Sequence, residues 1–371
     1  MTSGGWEPPG GRDDRPPAPV LPPQPGYPGQ GQFGYPTGPW PAIPAGAVPP
    51  PAARQFFGPA GPAGPPQAWL ARPYQQLLRG PNLRWWRPLL SLGVVAGIGV
   101  VAFGALIAVA GLVMVVTGRL ESDPGAGTDT FDRWSITPVG LLVNNLMLAA
   151  FIPVAMAAVW AGFRWRPRWV GSVVGGIRWR WLAVCGGIAV LALGGLTVVE
   201  VLLTGGVDWK PEPSWGWLLL VVLVSTPLQA AGEEYLFRGW MQQAIGAMIP
   251  RPAIGAVLGG GVSTTLFALA HGQQDVWLFG DRFIFGAVAC MLAYRTGGLE
   301  GGIALHSVNN LVAFGLTITS GQLADTLTVS TSDPLTLLIN TAVLSVAAAL
   351  VLLAAHLLHV VRLFTPPIPV G

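Results

Sequence analysis

Ionisable side chains interrupt three stretches of the chain that are otherwise apolar, and together they could perform hydrolytic chemistry. The stretches are residues 232–239 (GEEYLFRG), 267–271 (FALAH) and 306–310 (HSVNN). A charged side chain at the centre of a membrane helix costs ~2.5–3.5 kcal/mol on insertion scales, so groups kept there usually serve a function. The three stretches supply carboxylates, imidazoles, amides and a guanidinium, which are the parts of a hydrolytic site.

The first stretch contains two adjacent carboxylates that point to different sides of the helix and can have different partners. On a helix, Glu234 and Arg238 are four residues apart, share a face and can pair. Glu233 lies about 100° around the helix and can point elsewhere. This spacing predicts one neutralised carboxylate and one available carboxylate. The structural alternative is a buried ion pair with an acid that reaches the lipid headgroups from a helix end.

The other two stretches add imidazoles and an amide. His271 ends an apolar run, and Phe267 lies one turn before it on the same face, where it could shield the imidazole from lipid. His306 and Asn310 also share a helix face. Each of these features alone could be structural, because polar side chains also form hydrogen bonds between membrane helices. Only the combination of the three stretches indicates chemistry.

The elements that position these residues are membrane helices. Of the 371 residues, 51% are hydrophobic and 10% are charged, whereas soluble domains carry about 25% charged residues. This composition excludes a water-soluble enzyme, and apolar runs of ~20 residues predict spanning helices. We predict an all-α integral membrane protein with about eight transmembrane helices. The predicted spans are 89–117, 139–163, 181–204, 215–237, 253–271, 283–297, 302–320 and 334–361.

The N-terminal part differs in composition and predicts a separate region. Residues 1–85 hold more than half of the 36 prolines, and such a segment buries too little apolar surface to offset its ordering entropy. We predict a disordered, Pro/Gly-rich cytoplasmic tail at 1–85 and a polytopic membrane domain at 86–371. Aromatic residues in the tail could bind a partner protein, but a flexible tether is the simpler interpretation.

The distribution of basic residues predicts the orientation. When the N-terminus is placed in the cytoplasm, most arginines fall on the cytoplasmic side, as the positive-inside rule requires. We therefore expect a multi-pass protein of the cell membrane with both termini cytoplasmic. The single lysine, Lys210, lies in WKPEP, which excludes a Walker phosphate loop. The net charge of +3 gives no sign of a nucleic-acid partner, and we expect none.

The three stretches, taken in order, resemble the signature motifs of a known family. EEYLFRG, FALAH and HSVNN are similar to EExxxR, FxxxH and HxxxN of the CAAX prenyl protease and bacteriocin-processing family. This family is also called the Abi family of intramembrane endopeptidases. The resemblance covers about 215–320, which would be the protease-like core, and includes the stretch from Tyr294 to His306. It implies an endopeptidase that hydrolyses a membrane-associated, prenylated or peptide substrate through a glutamate-activated water.

The resemblance also implies a role for each motif residue. Glu233 would be the general base that activates water, and burial would raise its affinity for the proton toward the range that suits a base. Glu234 would pair with Arg238, and His271 would orient the water. His306 and Asn310 would donate hydrogen bonds to the oxyanion, an effect worth ~3–4 kcal/mol per donor in known hydrolases.

A metal-dependent version remains open at this stage. Glu233, His271 and His306 make a His₂Glu set, which is the ligand type of some catalytic zinc sites. The sequence contains no HExxH and so no independent zinc signature. The reaction could be metal-free or use one divalent metal such as zinc.

The spacing of the residues allows a geometric test. In a hairpin that turns at 250–252, Glu233 and His271 lie nearly level, but His306 lies about one turn into its helix and far from His271. A shared site then requires one of two arrangements. Residues 239–252 extend beyond the hydrocarbon, or the break at 259–261 (GGG) makes the fifth helix re-entrant, which is allowed beside a wet cavity.

Two rival functions remain. One is a non-catalytic membrane scaffold or bacteriocin-immunity protein that works by binding, in which the tail would be the active part. The other is a transporter, because intramembrane Glu, Arg and His also form proton relays. The lack of a visible repeat and the clustering of the polar residues in one third of the chain argue against the transporter.

Overall fold

Membrane-length helices make up most of the structure, because a backbone in lipid must satisfy its hydrogen bonds internally. The computed structural model of the protein describes residues 71–80, 82–116, 134–203 and 205–365. The predicted tail lies outside the described residues as far as residue 70. Within the described residues, eight helical segments are long and apolar enough to cross a bilayer, so the predicted membrane protein with about eight spans is confirmed.

Three of the spans contain a π-helical segment. The elements follow one another in chain order. They are β1 (Arg72–Pro73), α1 (Arg87–Val116), α2 (Pro138–Ala149), α3 (Phe151–Ala158), a π-helical segment (Val159–Phe163), α4 (Trp179–Ala189), a second π-helical segment (Val190–Gly194), α5 (Gly195–Leu203), α6 (Trp215–Glu234), a third π-helical segment (Tyr235–Met241), α7 (Gln242–Met248), α8 (Pro252–Leu269), α9 (Val276–Thr296), α10 (Glu300–Ser320), α11 (Leu323–Thr328), α12 (Pro334–Leu357) and β2 (Leu363–Phe364).

The sixth span begins earlier than predicted. The sequence indicated 283–297, but α9 runs from Val276 to Thr296. Asp275 caps its first turn by accepting a hydrogen bond from the Leu278 amide at 2.8 Å, and this bond lowers the pKa of Asp275. Arg282 therefore lies inside the helix, where it donates to Gln274 Oε1 at 2.7 Å. Apolar periodicity missed this start because a charged residue interrupts it.

The glycines of the fifth span serve packing and do not break the helix. α8 is continuous from Pro252 to Leu269. A Cβ added at Gly259 would lie 2.8 Å from the carbonyl oxygen of Gln242, and one added at Gly260 would lie 3.3 Å from the Cβ of Cys290. These positions allow α8 to approach α7 and α9 closely, so the re-entrant alternative is wrong.

His306 lies level with Glu233 without any break in α8, because the helices on which the two residues lie end at different levels. Glu233 Oε2 and His306 Nε2 are 3.8 Å apart, yet α7 ends at Met248 and α10 begins at Glu300. At 1.5 Å per residue, the end of α7 therefore projects ~13 Å farther from the site than the start of α10 does. The end of α7 thus lies beyond the start of α10, and the alternative that residues 239–252 lie outside the hydrocarbon stays a prediction.

The segment before α1 belongs to the folded structure. Tyr74, Gln75 and Gln76 are buried, and β1 pairs with β2 in an antiparallel ladder. The Gln75 amide donates to the Pro252 carbonyl at 2.9 Å, and Gln76 donates to the Ile249 carbonyl at 2.7 Å. The folded part therefore begins before the boundary predicted at residue 85, since these glutamines satisfy carbonyls at the turn between α7 and α8.

A buried ion pair fixes the start of α10. Glu300 is fully buried and pairs with Arg178, whose Nε lies 2.8 Å from Oε1 and whose Nη2 lies 2.7 Å from Oε2. Arg178 also donates to the carbonyls of Thr296 and Val361, at 3.1 and 2.8 Å. Bidentate pairs of this kind have a fixed geometry. Arg178 therefore ties together the end of α9, the start of α10 and the segment after α12.

The helix that carries the two carboxylates packs very closely on α2. A Cβ added at Gly232 would lie 2.1 Å from the carbonyl oxygen of Leu148 and 2.8 Å from its carbonyl carbon. Small residues at such contacts allow two backbones to approach. Because the obstacle is backbone and not the end of a flexible side chain, it cannot move aside without shifting a helix.

We predict that Gly232→Ala destabilises the protein by about 1–3 kcal/mol, because the added methyl group overpacks this contact. Gly261→Ala is the matched control, since a Cβ there would meet nothing within 4 Å and alanine favours the helix. Denaturant titration in mixed micelles measures both variants. Equal stability of the two would show that the close contact of α6 and α2 is absent.

Candidate active site

Four parts of the fold carry the six predicted site residues. The end of α6, the π-helical segment after it and α10 contribute five of them, and the turn after α8 contributes the sixth. The six are Glu233, Glu234, Arg238, His271, His306 and Asn310. A π-helical turn widens a helix locally and is frequent at functional sites, and here it follows the two carboxylates directly.

Glu234 is the centre of the charge cluster. Its Oε1 accepts hydrogen bonds from Arg238 Nη1 and from His306 Nδ1, each at 3.1 Å. Glu234 and Arg238 are fully buried, and His306 is 4% exposed. The ion pair that the i,i+4 spacing predicted is therefore present, and it also holds the histidine of α10.

Glycines and an aromatic ring make room for this pair. A Cβ at Gly302 would lie 2.7 Å from Glu234 Oε2, and one at Gly286 would lie 3.0 Å from Arg238 Nη2. The Arg238 guanidinium lies 4.3 Å from the centroid of the Phe267 ring, a cation–π contact that gains strength when it is desolvated. The second glycine of the GG pair that precedes HSVNN in sequence, Gly302, is thus explained by the approach of a carboxylate.

The hydrogen bond of His306 fixes its tautomer. An ionised carboxylate only accepts hydrogen bonds, so Nδ1 of His306 must donate to Glu234. Nε2 of the neutral ring then keeps its lone pair and faces Glu233 Oε2 at 3.8 Å. This distance is too long for a direct hydrogen bond.

Sequence reasoning missed one residue of the site, Gln229. Its Nε2 donates to Glu233 Oε1 at 2.5 Å, and its Oε1 accepts from Asn310 Nδ2 at 3.1 Å. Gln229 is 5% exposed and Glu233 is 7% exposed. Asn310 therefore joins the site through Gln229. The available signal was the spacing, because Gln229 lies one turn before Glu233 on the same face.

His271 belongs to the site through ring contacts and charge. Its Nδ1 is 2.8 Å from the carbonyl oxygen of Phe267, to which it donates, and the Phe267 ring stands edge-on to it at 4.8 Å and to His306 at 5.9 Å. The residue is exposed, but neighbouring groups desolvate its ring. The pKa of His271 lies below the ordinary value because this desolvation outweighs the nearby charge of Glu233.

The suggested metal ligands do not form a cluster. Nε2 of His271 and Nε2 of His306 each keep a lone pair, so the donor atoms are of the type that zinc accepts. Among the described residues, however, no group of three His, Cys, Asp or Glu side chains is arranged to hold a metal ion. The arrangement of Glu233, His271 and His306 therefore does not fit a three-ligand site.

Comparisons with known proteins match the part of the chain that builds this site. Residues 215–312 match the family model described as Rce1-like, type II CAAX prenyl endopeptidase. The uncharacterized protein YyaK of Bacillus subtilis (strain 168) is 31% identical over 101 residues, which are 26% of this chain and 32% of YyaK. The chain thus spans about a third of the length of this curated relative. No solved structure matches the chain.

We predict that Arg238→Met destabilises the protein by about 3–5 kcal/mol, because it leaves the buried Glu234 carboxylate without its charge partner. Lys210→Met is the control, since Lys210 pairs with Asp208 where both side chains are 72% exposed. An exposed pair contributes about 0–1 kcal/mol. Denaturant titration in mixed micelles compares the two, and a similar small effect of both variants would contradict the structural importance of the buried pair.

Proposed function

We propose that the chain is a peptidase like the type II CAAX prenyl endopeptidases whose Rce1-like family model matches residues 215–312, and that Glu233 activates a water molecule for peptide hydrolysis. The substrate would be a peptide or a membrane protein, prenylated or otherwise held at the bilayer. One observation carries the proposal. Glu233 has one oxygen held by Gln229 and the other facing an imidazole lone pair at 3.8 Å.

The two carboxylate oxygens of Glu233 have different tasks in this proposal. Oε1 accepts from Gln229, so Oε2 is left to receive a proton. A water molecule that donates one hydrogen to Glu233 Oε2 and the other to His306 Nε2 can bridge the two atoms. Its oxygen lone pairs then point away from both residues and are free to attack a peptide carbonyl carbon.

The proton follows the chemistry of a general base. As the water oxygen bonds to the carbonyl carbon, Glu233 takes its proton and the carbonyl oxygen becomes an oxyanion. When the C–N bond breaks, Glu233 returns the proton to the leaving amine. General acid–base catalysis of this kind contributes about 10²–10⁴-fold to the rate.

The remaining site residues stabilise charge and geometry. Glu234 and Arg238 hold each other, and the adjacent Glu233 faces the Gln229 amide and the His306 imidazole. His306 accepts the second hydrogen of the water at Nε2, while the Glu234 carboxylate accepts from its Nδ1 and holds the ring in place. His271 has a free Nε2 lone pair near Glu233, where we propose that it helps to orient the water.

We predict that Glu233→Gln abolishes a defined set of protein N- and C-termini in the producing cells, because glutamine cannot take the proton. Mass spectrometry of termini at matched expression measures this, and the lost termini identify the substrates. Asp208→Asn is the control, since it makes the same carboxylate-to-amide change at an exposed side chain. Identical profiles of the wild type and Glu233→Gln would reject the peptidase and favour the scaffold.

We predict that purified protein cleaves a substrate identified in this way after chelation of divalent metals, since the three candidate ligands do not form a cluster. The measurement is the cleavage rate in proteoliposomes before and after chelation, with elemental analysis of the same sample. Loss of cleavage that added zinc restores would show that a metal joins the site and would overturn this expectation.

A further inference from the structure

Four polar side chains form a directed chain of hydrogen bonds that ends on Glu233. Asn309 Nδ2 donates to Asn310 Oδ1 at 3.3 Å, and Asn310 Nδ2 donates to Gln229 Oε1 at 3.1 Å. Gln229 Nε2 then donates to Glu233 Oε1 at 2.5 Å. The chain begins at an exposed residue of α10 and ends at a carboxylate that is almost fully buried.

We propose that Gln229 is a positioning residue, which Asn310 orients and which fixes the carboxylate of Glu233 for the reaction. This inference rests on the peptidase function proposed above. It gives Gln229 a positioning role and makes Asn309 the first donor of the hydrogen-bond chain. Neither residue is among the six site residues chosen from the sequence.

The direction of each bond follows from the groups involved. An amide can turn over and exchange its donor for its acceptor. If Gln229 turned over, its carbonyl oxygen would face the Glu233 carboxylate and its NH₂ group would face the NH₂ group of Asn310. Both contacts would be repulsive. The Glu233 carboxylate, which can only accept, selects the orientation in which Gln229 donates to it, and the bond from Asn310 holds the other end of the amide in place.

The hydrogen bond from Gln229 determines which of the two carboxylate oxygens of Glu233 is free to react. The terminal torsion of a glutamate is broad and roughly two-fold, so an unrestrained carboxylate exchanges its two oxygens easily. A donor held on Oε1 removes that freedom and keeps Oε2 toward His306. A buried amide that lost these partners would also pay a desolvation cost, so the chain stays formed when the site is closed to water.

The test uses Gln229→Met, which keeps the side-chain length and loses both hydrogen bonds. The probe is the membrane protein whose terminus is lost in the Glu233→Gln strain, reconstituted with the full-length enzyme in proteoliposomes. We expect kcat to fall by about 10–100-fold, as small misplacements of reacting groups do, while KM changes less than about twofold, because the reacting group is misplaced and substrate contacts are kept.

Gln242→Met is the matched control, because Gln242 is a buried glutamine of α7 that donates to the Cys290 carbonyl and not to one of the six site residues. We expect it to lose a similar amount of stability in mixed micelles and to keep its kcat. A kcat for Gln229→Met equal to that of Gln242→Met would overturn the inference.

A double-mutant cycle tests the link to Asn310. If Asn310 acts through Gln229, then Asn310→Ala lowers kcat less in the Gln229→Met background than in the wild type, because residues of one network do not act additively. Effects that multiply to within about twofold would overturn the link. Loss of activity in Glu233→Gln with full activity in Gln229→Met would reject only the positioning role, whereas cleavage by Glu233→Gln at the wild-type rate would reject Glu233 as the base of the proposed function.

Discussion

The cost of placing charge inside a membrane protein controls the architecture of this site. Glu234 and Arg238 are both fully buried, and an unpaired charge in such surroundings costs several kcal/mol. The two residues of the pair lie in one helical span, and other helices supply the groups that contact them. His306 arrives from α10, Phe267 from α8, and Gly286 and Gly302 leave space on α9 and α10.

The same constraint separates the tasks of two adjacent glutamates. Glu234 is neutralised by Arg238, while Glu233 accepts a hydrogen bond from the amide of Gln229 and faces the imidazole of His306. A base needs an available lone pair. The pairing of Glu234 with Arg238 leaves Glu233 as the carboxylate whose Oε2 is available for the proposed role.

The packing of the helices keeps this arrangement in register. α6 lies against α2 at Gly232, where no side chain fits, and α10 is anchored at its first residue by the bidentate pair of Arg178 and Glu300. The hydrogen bond from Asn310 to Gln229 also crosses from α10 to α6. Sliding of either helix by one residue would separate His306 from both glutamates.

The sequence by itself determined the membrane class, about eight spans, the resemblance that the family-model match over residues 215–312 supports, and the pairing of Glu234 with Arg238, because apolar length, short motifs and i,i+4 spacing are local properties. Only the tertiary structure decided that Gln229 holds Glu233, that residues 71–80 are folded, and that the glycines of α8 pack without breaking it. These features depend on which helices become neighbours, and hydropathy carries no information about that choice.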